Sequence, residues 1–182
     1  METILYKGPR LLLRKAEEND LDFILDLEYR KENVKFIVPF DRDFHLPVIR
    51  EGEAAIDVIV EEIATGERVG YVLVNGLKTE AKEAEWTHVI IDKKGMGYGH
   101  ETMKMLKAWV FDVLHFHRAW LDCKDYNARA LHLYESEGMQ REALIRETIV
   151  TNGVYENLVV LGILDREYRQ RKREGLELGA VK

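Results

Sequence analysis

Apolar residues recur along the chain in two periods, and the switches between them mark out the elements. Between Ala54 and Ile63 the alternation of Ile56, Val58 and Val60 has the period of two of a strand. After a turn at Thr65-Gly66-Glu67 the run from Val69 to Val74 returns, predicting a hairpin. Charged residues from Glu80 to Glu85 give way to Trp86 through Ile91, a third antiparallel strand. Past this point the spacing changes to three and four: Met103, Leu106, Val110 and Val113 define one buried face of a long helix. Ahead of the hairpin, Leu11-Leu12-Leu13 between Arg10 and Arg14 predicts a short buried first strand. A helix carrying Leu21, Ile24 and Leu25 follows it, capped by Asn19 or Asp20.

Beyond the long helix, Ala119 to Cys123 predicts a strand parallel to the one before the helix, closing a βαβ unit. Asn127 to Glu137 is a short helix ended by Gly138, with Asn127, Ala130, Leu131 and Tyr134 on one face. Ala143 to Val150 and Tyr155 to Leu164 flank an Asn152-Gly153 turn, the signature of a hairpin. The basic stretch from Asp165 to Arg173 reads as a solvated, partly frayed helix. Residues 29 to 50 have no clean period. Tyr29, Phe36, Pro39, Phe40, Phe44 and Pro47 alternate with Glu32, Asp41, Asp43 and His45, which predicts a mobile, partly helical loop with a few anchoring aromatics.

Between the third strand and the long helix lies Lys94-Gly95-Met96-Gly97-Tyr98-Gly99. Three glycines in five residues leave the backbone bare at the positive end of a helix, the geometry of an anion cradle, with a diphosphate as the natural ligand. Close packing of helix on sheet would require glycines too. The loop has no Lys-Ser/Thr ending of a P-loop, and it is GxGxG where a dinucleotide-binding fold has GxGxxG. A Rossmann-like oxidoreductase is kept open by Asp122 and Asp125 downstream, but such a fold repeats βα units from its start, and this chain opens with a strand, a helical region and a meander.

The composition fits one domain with a full-sized core: 182 residues, 46% hydrophobic, three prolines. A net charge of -6 argues against non-specific nucleic-acid binding and is compatible with a cationic substrate. Cys123 is alone, so neither a disulfide framework nor a thiolate zinc cluster is expected. With no apolar run of membrane-spanning length and no leader pattern, a cytoplasmic protein with no metal and no membrane partner is expected.

At the level of motifs the chain resembles the GNAT N-acetyltransferases, and within them the branch of ribosomal-protein N-terminal and polyamine acetyltransferases. The resemblance rests on the glycine loop, on the segment Asn127-Ala128-Arg129-Ala130-Leu131-His132-Leu133-Tyr134-Glu135-Ser136-Glu137-Gly138-Met139, and on Asn152-Gly153-Val154-Tyr155 before the last strand. It implies an α/β fold with a mixed, twisted sheet of about six to seven strands, helices on both faces and splayed central strands. It further implies acetyl-CoA in the splay. Backbone from Lys94, Gly95, Met96, Gly97, Tyr98, Gly99 and His100 would meet the diphosphate, and strand backbone at Val89, Ile90 and Ile91 would pair with the pantetheine. Asn127, with Ala130 on its face, would hold the pantetheine arm. Lys94 stands where the family has Gln or Arg, keeping charge but losing a planar fork of donors.

Acetyl transfer to an amine needs a base, because an alkyl ammonium with a pKa of about 10 is protonated at neutral pH, and an acid for the departing thiolate. Glu85 is the expected base, with His88 and water as alternatives, and the resemblance makes Tyr134 the acid. A ping-pong route through Cys123 is the less economical reading. Carboxylates at Glu32, Asp41 and Asp43 are candidates for guiding a primary amine, whether polyamine, peptide N-terminus or another small amine. A CoA-binding sensor without turnover is the competing function. Exposed strands in the terminal hairpin make a homodimer reasonable.

Overall fold

The computed structural model describes residues 3–179. One eight-stranded sheet runs through it in the order β1-β2-β3-β4-β5-β6-β8-β7. Its strands are β1 (Ile4–Lys7), β2 (Leu11–Lys15), β3 (Ile56–Glu62), β4 (Glu67–Asn75), β5 (Glu83–Ile91), β6 (Arg118–Lys124), β7 (Gln140–Thr151) and β8 (Val154–Leu164). The sheet has more strands than the sequence pattern indicated because β1, a four-residue antiparallel partner of β2, is too short to show a period. Helices α1 (Leu21–Tyr29), α2 (Lys31–Val34) and α3 (Arg42–Glu51) come from the stretch between β2 and β3, and α4 (Tyr98–Ala108), α5 (Ala128–Ser136) and α6 (Asp165–Arg173) from later in the chain. No described helix is long and apolar enough to cross a membrane.

Every neighbouring pair of strands is antiparallel except β5 and β6, which run parallel and pair only at Glu83, Ala84 and Glu85 against Arg118, Ala119 and Trp120. Beyond Glu85 the two strands separate, and the β6-facing backbone of β5 from Trp86 to Ile91 has no strand partner. A bulge sits at this point. Leu73 faces His88 and Val74 faces Trp86, so Thr87 is one residue too many for β4. The extra residue reverses which side chains face which layer. Trp86 belongs to the larger core, with Met105, Leu106 and Phe111, whereas Ile90 belongs to the smaller one, with Ile24, Leu27 and Tyr71.

Several expectations change here. Residues 29 to 50 are partly helical as expected, with α2 and α3 joined by the non-helical residues 35–41, but the segment is anchored on the sheet rather than solvated. Asp41 caps α3 by accepting from the Phe44 N–H (3.0 Å), and Phe40 stacks on Phe44 at 4.0 Å. On α1 the buried stripe is Leu21, Ile24, Leu27 and Glu28, displacing Leu25. Val113 is 51% exposed instead of buried. The helix widens to a π turn over Trp109–Val113, with Leu114 N–H reaching the Trp109 carbonyl five residues back, and this shifts the phase of the apolar face. The basic tail is docked rather than solvated: Tyr168 of α6 is fully buried and stacks on Phe111 at 5.0 Å, its hydroxyl donating to Asp112.

Candidate active site

The turn from β5 to α4 exposes a run of bare amides. Gly95 (φ +80°) and Gly97 (φ +76°) both take the left-handed conformation that costs L side chains energy. A Cβ at Gly95 would touch nothing within 4 Å, so this glycine is required by the turn itself. Gly99 serves packing instead, since a Cβ there would come within 3.2 Å of Leu133 on α5. The N–H groups from Gly95 to His100 donate to no described residue, because they precede or open the first turn of α4.

The loop is braced from below. Arg10 Nη1 donates to the Met96 carbonyl (2.9 Å) and its Nε to Glu101 Oε2 (2.8 Å), while Glu101 Oε1 accepts the N–H groups of Arg10 (2.7 Å) and Leu11 (3.0 Å). Glu101 is thereby buried with its charge fully partnered. Tyr98 turns its side chain into the core, where its hydroxyl donates to Glu62, so only its backbone faces the turn. His100 Nδ1 pairs with Glu137 Oε1 at 2.8 Å. Lys93 is held by Glu67 (2.6 Å), whereas Lys94 has no carboxylate partner among the described residues. Val89 and Ile91 pack on the α4 side of the sheet and Ile90 on the opposite side.

Across the splay, Asn127 caps α5 through its Oδ1, which accepts from the Ala130 N–H at 3.3 Å, leaving its Nδ2 without a partner among the described residues. One helical face further on, Tyr134 is buried, and its hydroxyl makes no hydrogen bond among the described residues. Burial, then neighbouring Cys123 and Asp122, hold that hydroxyl well above the ordinary phenol value, so it keeps its proton. Burial also pushes the Cys123 thiol up to about 12, which removes the thiolate that a ping-pong route needs.

Asp122 links the two sides of the opening. It lies on β6, burial raises its carboxyl, and the facing His88 opposes that rise. Glu85, on the last paired rung of β5, is likewise raised by burial, with the Thr87 hydroxyl working against it and Asp122 adding to it. Asp122 thus raises the Tyr134 hydroxyl on one side and the Glu85 carboxyl on the other.

Behind His88 lies a buried ionic cluster. Glu28 on α1 is fully buried; its Oε1 accepts from His88 Nδ1 (2.5 Å) and the Tyr71 hydroxyl (2.6 Å), its Oε2 from the Phe40 N–H (2.6 Å). His45 on α3 places Nδ1 2.9 Å from Asp57 Oδ2 and Nε2 3.6 Å from Glu28 Oε1. Burial alone would discharge these groups. For Glu28 the surrounding donors overcome it and hold the carboxyl at about 2; for His45 the carboxylates of Asp57 and Glu28 overcome it and hold the imidazole up to about 9.

The model of the acetyltransferase (GNAT) domain family matches residues 10–140. The chain belongs to the GNAT acetyltransferases. As a GNAT N-acetyltransferase it takes acetyl-CoA as co-substrate, and the observed meander and single parallel junction exclude the doubly wound, Rossmann-like alternative. The spermidine N(1)-acetyltransferase of Vibrio cholerae is 26% identical over 168 residues, covering 89% of this chain and 97% of that protein. A structure of the Vibrio cholerae spermidine N-acetyltransferase in complex with CoA and spermine has a TM-score of 0.79 at 24% identity, over 89% of this chain and 99% of that one. A dodecameric structure of the same Vibrio cholerae enzyme has a TM-score of 0.74 at 24% identity, covering 90% and 99%.

Within this GNAT chain, the splay gathers Glu85, His88, Asp122 and Tyr134, while Glu32 and Asp43 lie exposed on α2 and α3 with no ion-pair partner among the described residues. Asp122 and the buried cluster of Glu28, His45 and Asp57 border this candidate site without having been expected from the sequence to do so. Glu28 carried a signal: it falls on the apolar stripe of α1, seven residues from Leu21 and four from Ile24, where a charge must be partnered. Asp122 carried none beyond its alternation with buried Leu121 and Cys123.

His45 gives a stability test. Its folded pKa lies above the ordinary 6.5, so its contribution is complete below pH 6.5 and lost as pH rises through about 9, a loss of at most about 3 kcal/mol. Urea unfolding should show the parent protein weakening over this window and His45→Gln lacking that slope; equal slopes would contradict the charged cluster.

Proposed function

We propose that this chain acetylates a primary amine of a polyamine-type acceptor by direct transfer from acetyl-CoA, with both substrates bound together in the splay of β5 and β6. The observation that carries the reading is the parting of β5 and β6 after Glu85, which leaves Asp122 of β6 on the opening, where it raises both the Tyr134 hydroxyl on one wall and the Glu85 carboxyl on the other. Such a face attracts an ammonium group and offers acceptors for the proton it must lose. The likeness to a polyamine acetyltransferase supports the same acceptor class.

The chain's residues divide the work as follows. Free N–H groups from Gly95 to His100, with Lys94 beside them, take the diphosphate. The unpaired backbone of β5 at Val89 to Ile91 and the free Nδ2 of Asn127 align the pantetheine, with Ala130 along the same face of α5. Acetyl-CoA supplies an activated thioester carbon. Glu85 and Asp122 bind and orient the ammonium, and exposed Glu32 and Asp43 add negative charge to the segment on that side of the sheet. Asp41 contributes charge too, though its carboxylate is shared with the α3 cap. Tyr134 donates to the departing sulfur, which accepts a hydrogen bond well only as thiolate character develops. The hairpin of β7 and β8, with Leu144, Ile145 and Val150 of β7 and Val154 and Tyr155 of β8 exposed, is the proposed contact for a homodimer.

A CoA-release screen across polyamines, peptide N-termini, aminoglycosides and amino sugars tests the acceptor. Release with polyamines at the highest kcat/KM is expected. CoA binding without thiol release on any amine would instead indicate a sensor. Tyr134→Phe keeps the ring and its packing, so kcat should fall by roughly 10² to 10⁴ with CoA affinity and Tm little changed. A stable Tyr134→Phe protein with kcat within about twofold of the parent would assign the tyrosine to packing alone.

A further inference from the structure

The proton that leaves the acceptor has a destination that follows from bookkeeping on the buried cluster. Glu28 is an anion with no proton of its own, and the Tyr71 hydroxyl spends its single proton on Glu28 Oε1 (2.6 Å). His88 Nδ1, 2.5 Å from the same oxygen, must therefore carry a hydrogen. In a neutral imidazole this leaves the lone pair on Nε2. That nitrogen makes no hydrogen bond to a described residue and is absent from the fully buried polar atoms that lack one, so the otherwise buried ring keeps part of this atom accessible. His88 is close enough to Glu85 and Asp122 to lower both carboxyls.

We propose that His88 is the general base of this acetyl transfer, with Glu28 as the residue that fixes its tautomer and ring orientation, and with the His45–Asp57 pair positioning Glu28 in turn. The proposal rests on the acetyltransferase reading above and narrows the expected base from Glu85 to the histidine beyond the bulge, leaving Glu85 as a carboxylate that binds the ammonium. Thr87 is what makes this possible: without the extra residue in β5, His88 would face the α4 layer instead of Glu28. Phe40 fixes the ring from the other side, stacked on it at 5.1 Å while its N–H holds Glu28 Oε2.

The step balances. The acceptor ammonium gives one proton to His88 Nε2, and the freed nitrogen lone pair forms the N–C bond to the acetyl carbon. The C–S bond breaks with its electron pair going to sulfur, which takes a proton from Tyr134. The second proton lost by nitrogen returns to Tyr134 through solvent, and His88 releases its own to solvent. While His88 is protonated, the cluster behind it, Glu28 and Asp57 negative with His45 positive, carries one net negative charge. The groups facing His88 are Glu28 of α1, His45 of α3, Asp57 of β3, Tyr71 of β4, Glu85 of β5 and Asp122 of β6, and any pH profile is read with all of them in view.

His88→Ala tests the base directly. On the best amine from the screen, kcat should fall ~10²-fold or more with the CoA dissociation constant within about twofold, and added imidazole should restore part of the rate. Glu28→Gln should lose at least about tenfold in kcat and gain nothing from imidazole, because its defect is orientation. A folded His88→Ala protein with kcat within about twofold of an active parent would overturn the proposal and leave the acetyltransferase reading intact. A parent with no transferase activity would overturn that reading instead. The unmutated protein gives an independent measurement: ¹⁵N NMR at neutral to mildly alkaline pH should find His88 with its hydrogen on Nδ1 and a free Nε2. The opposite tautomer contradicts the assignment whether or not the variants fold.

Discussion

The constraint on which this molecule turns is the shortness of the one parallel junction in its sheet. Backbone N–H and C=O groups inside a protein are expensive to leave unpaired, so a sheet that opens in its middle must have something to fill the opening. Here β5 and β6 pair over Glu83 to Glu85 and then part. Both strands are otherwise secured, β5 by β4 and β6 by β8 along its whole length, and the helical layers on either face hold the two halves of the sheet. The opening is therefore built into the pairing, and its free edge on β5 leads straight into the free amides of the turn from Gly95 to His100. An extended molecule ending in an anion, such as an acyl-CoA, is complementary to that continuous line of donors and acceptors.

The second dependence is electrostatic. Taking Glu28, His45 and Asp57 out of water is costly unless the charges meet one another; Glu28 is met by Tyr71, His88 and the Phe40 N–H and His45 by Asp57, while His45 Nε2 and Asp57 Oδ1 are left without a hydrogen-bond partner among the described residues. This cluster joins α1, α3, β3, β4 and β5, so the helices covering one side of the opening are fixed relative to the strand that lines it. On the opposite side Glu101 has the same function, joining β2 and the glycine turn to α4 through Arg10. A buried ion cluster contributes little net stability against a hydrophobic equivalent, but it permits one arrangement of its members and few others.

Local features were legible in the sequence because local chemistry dictates them. The turn at Asn152-Gly153 has both residues at positive φ, 51° and 80°, as the dipeptide indicated, and the glycines of the turn before α4 are left-handed where a bare backbone was inferred. The alternation in β3, the apolar run of β4 and the stripe through Met103 and Leu106 of α4 to Val110 in the π turn also followed from the sequence pattern. What escaped detection depends on partners far along the chain. The phase of α4 after Ala108 changes at a π turn, Tyr168 on a basic helix is buried because Phe111 waits for it, and Pro47 sits inside α3 where a proline ordinarily marks a boundary. Of the proposed site, Tyr134, Asn127 and the glycine turn could be picked out beforehand because they belong to compact motifs. Glu28, His45, Asp57 and Asp122 become chemistry only once four strands and two helices have brought them together.

The central claim is that CoA lies along the free edge of β5 and ends on the amides before α4. Amide hydrogen exchange of the protein with and without saturating CoA tests this most directly. The account predicts slowed exchange concentrated in two segments, Thr87 to Ile91 and Gly95 to His100, with β1 to β3 nearly unchanged. Saturable CoA binding that slows exchange elsewhere and leaves both segments as they were would contradict it.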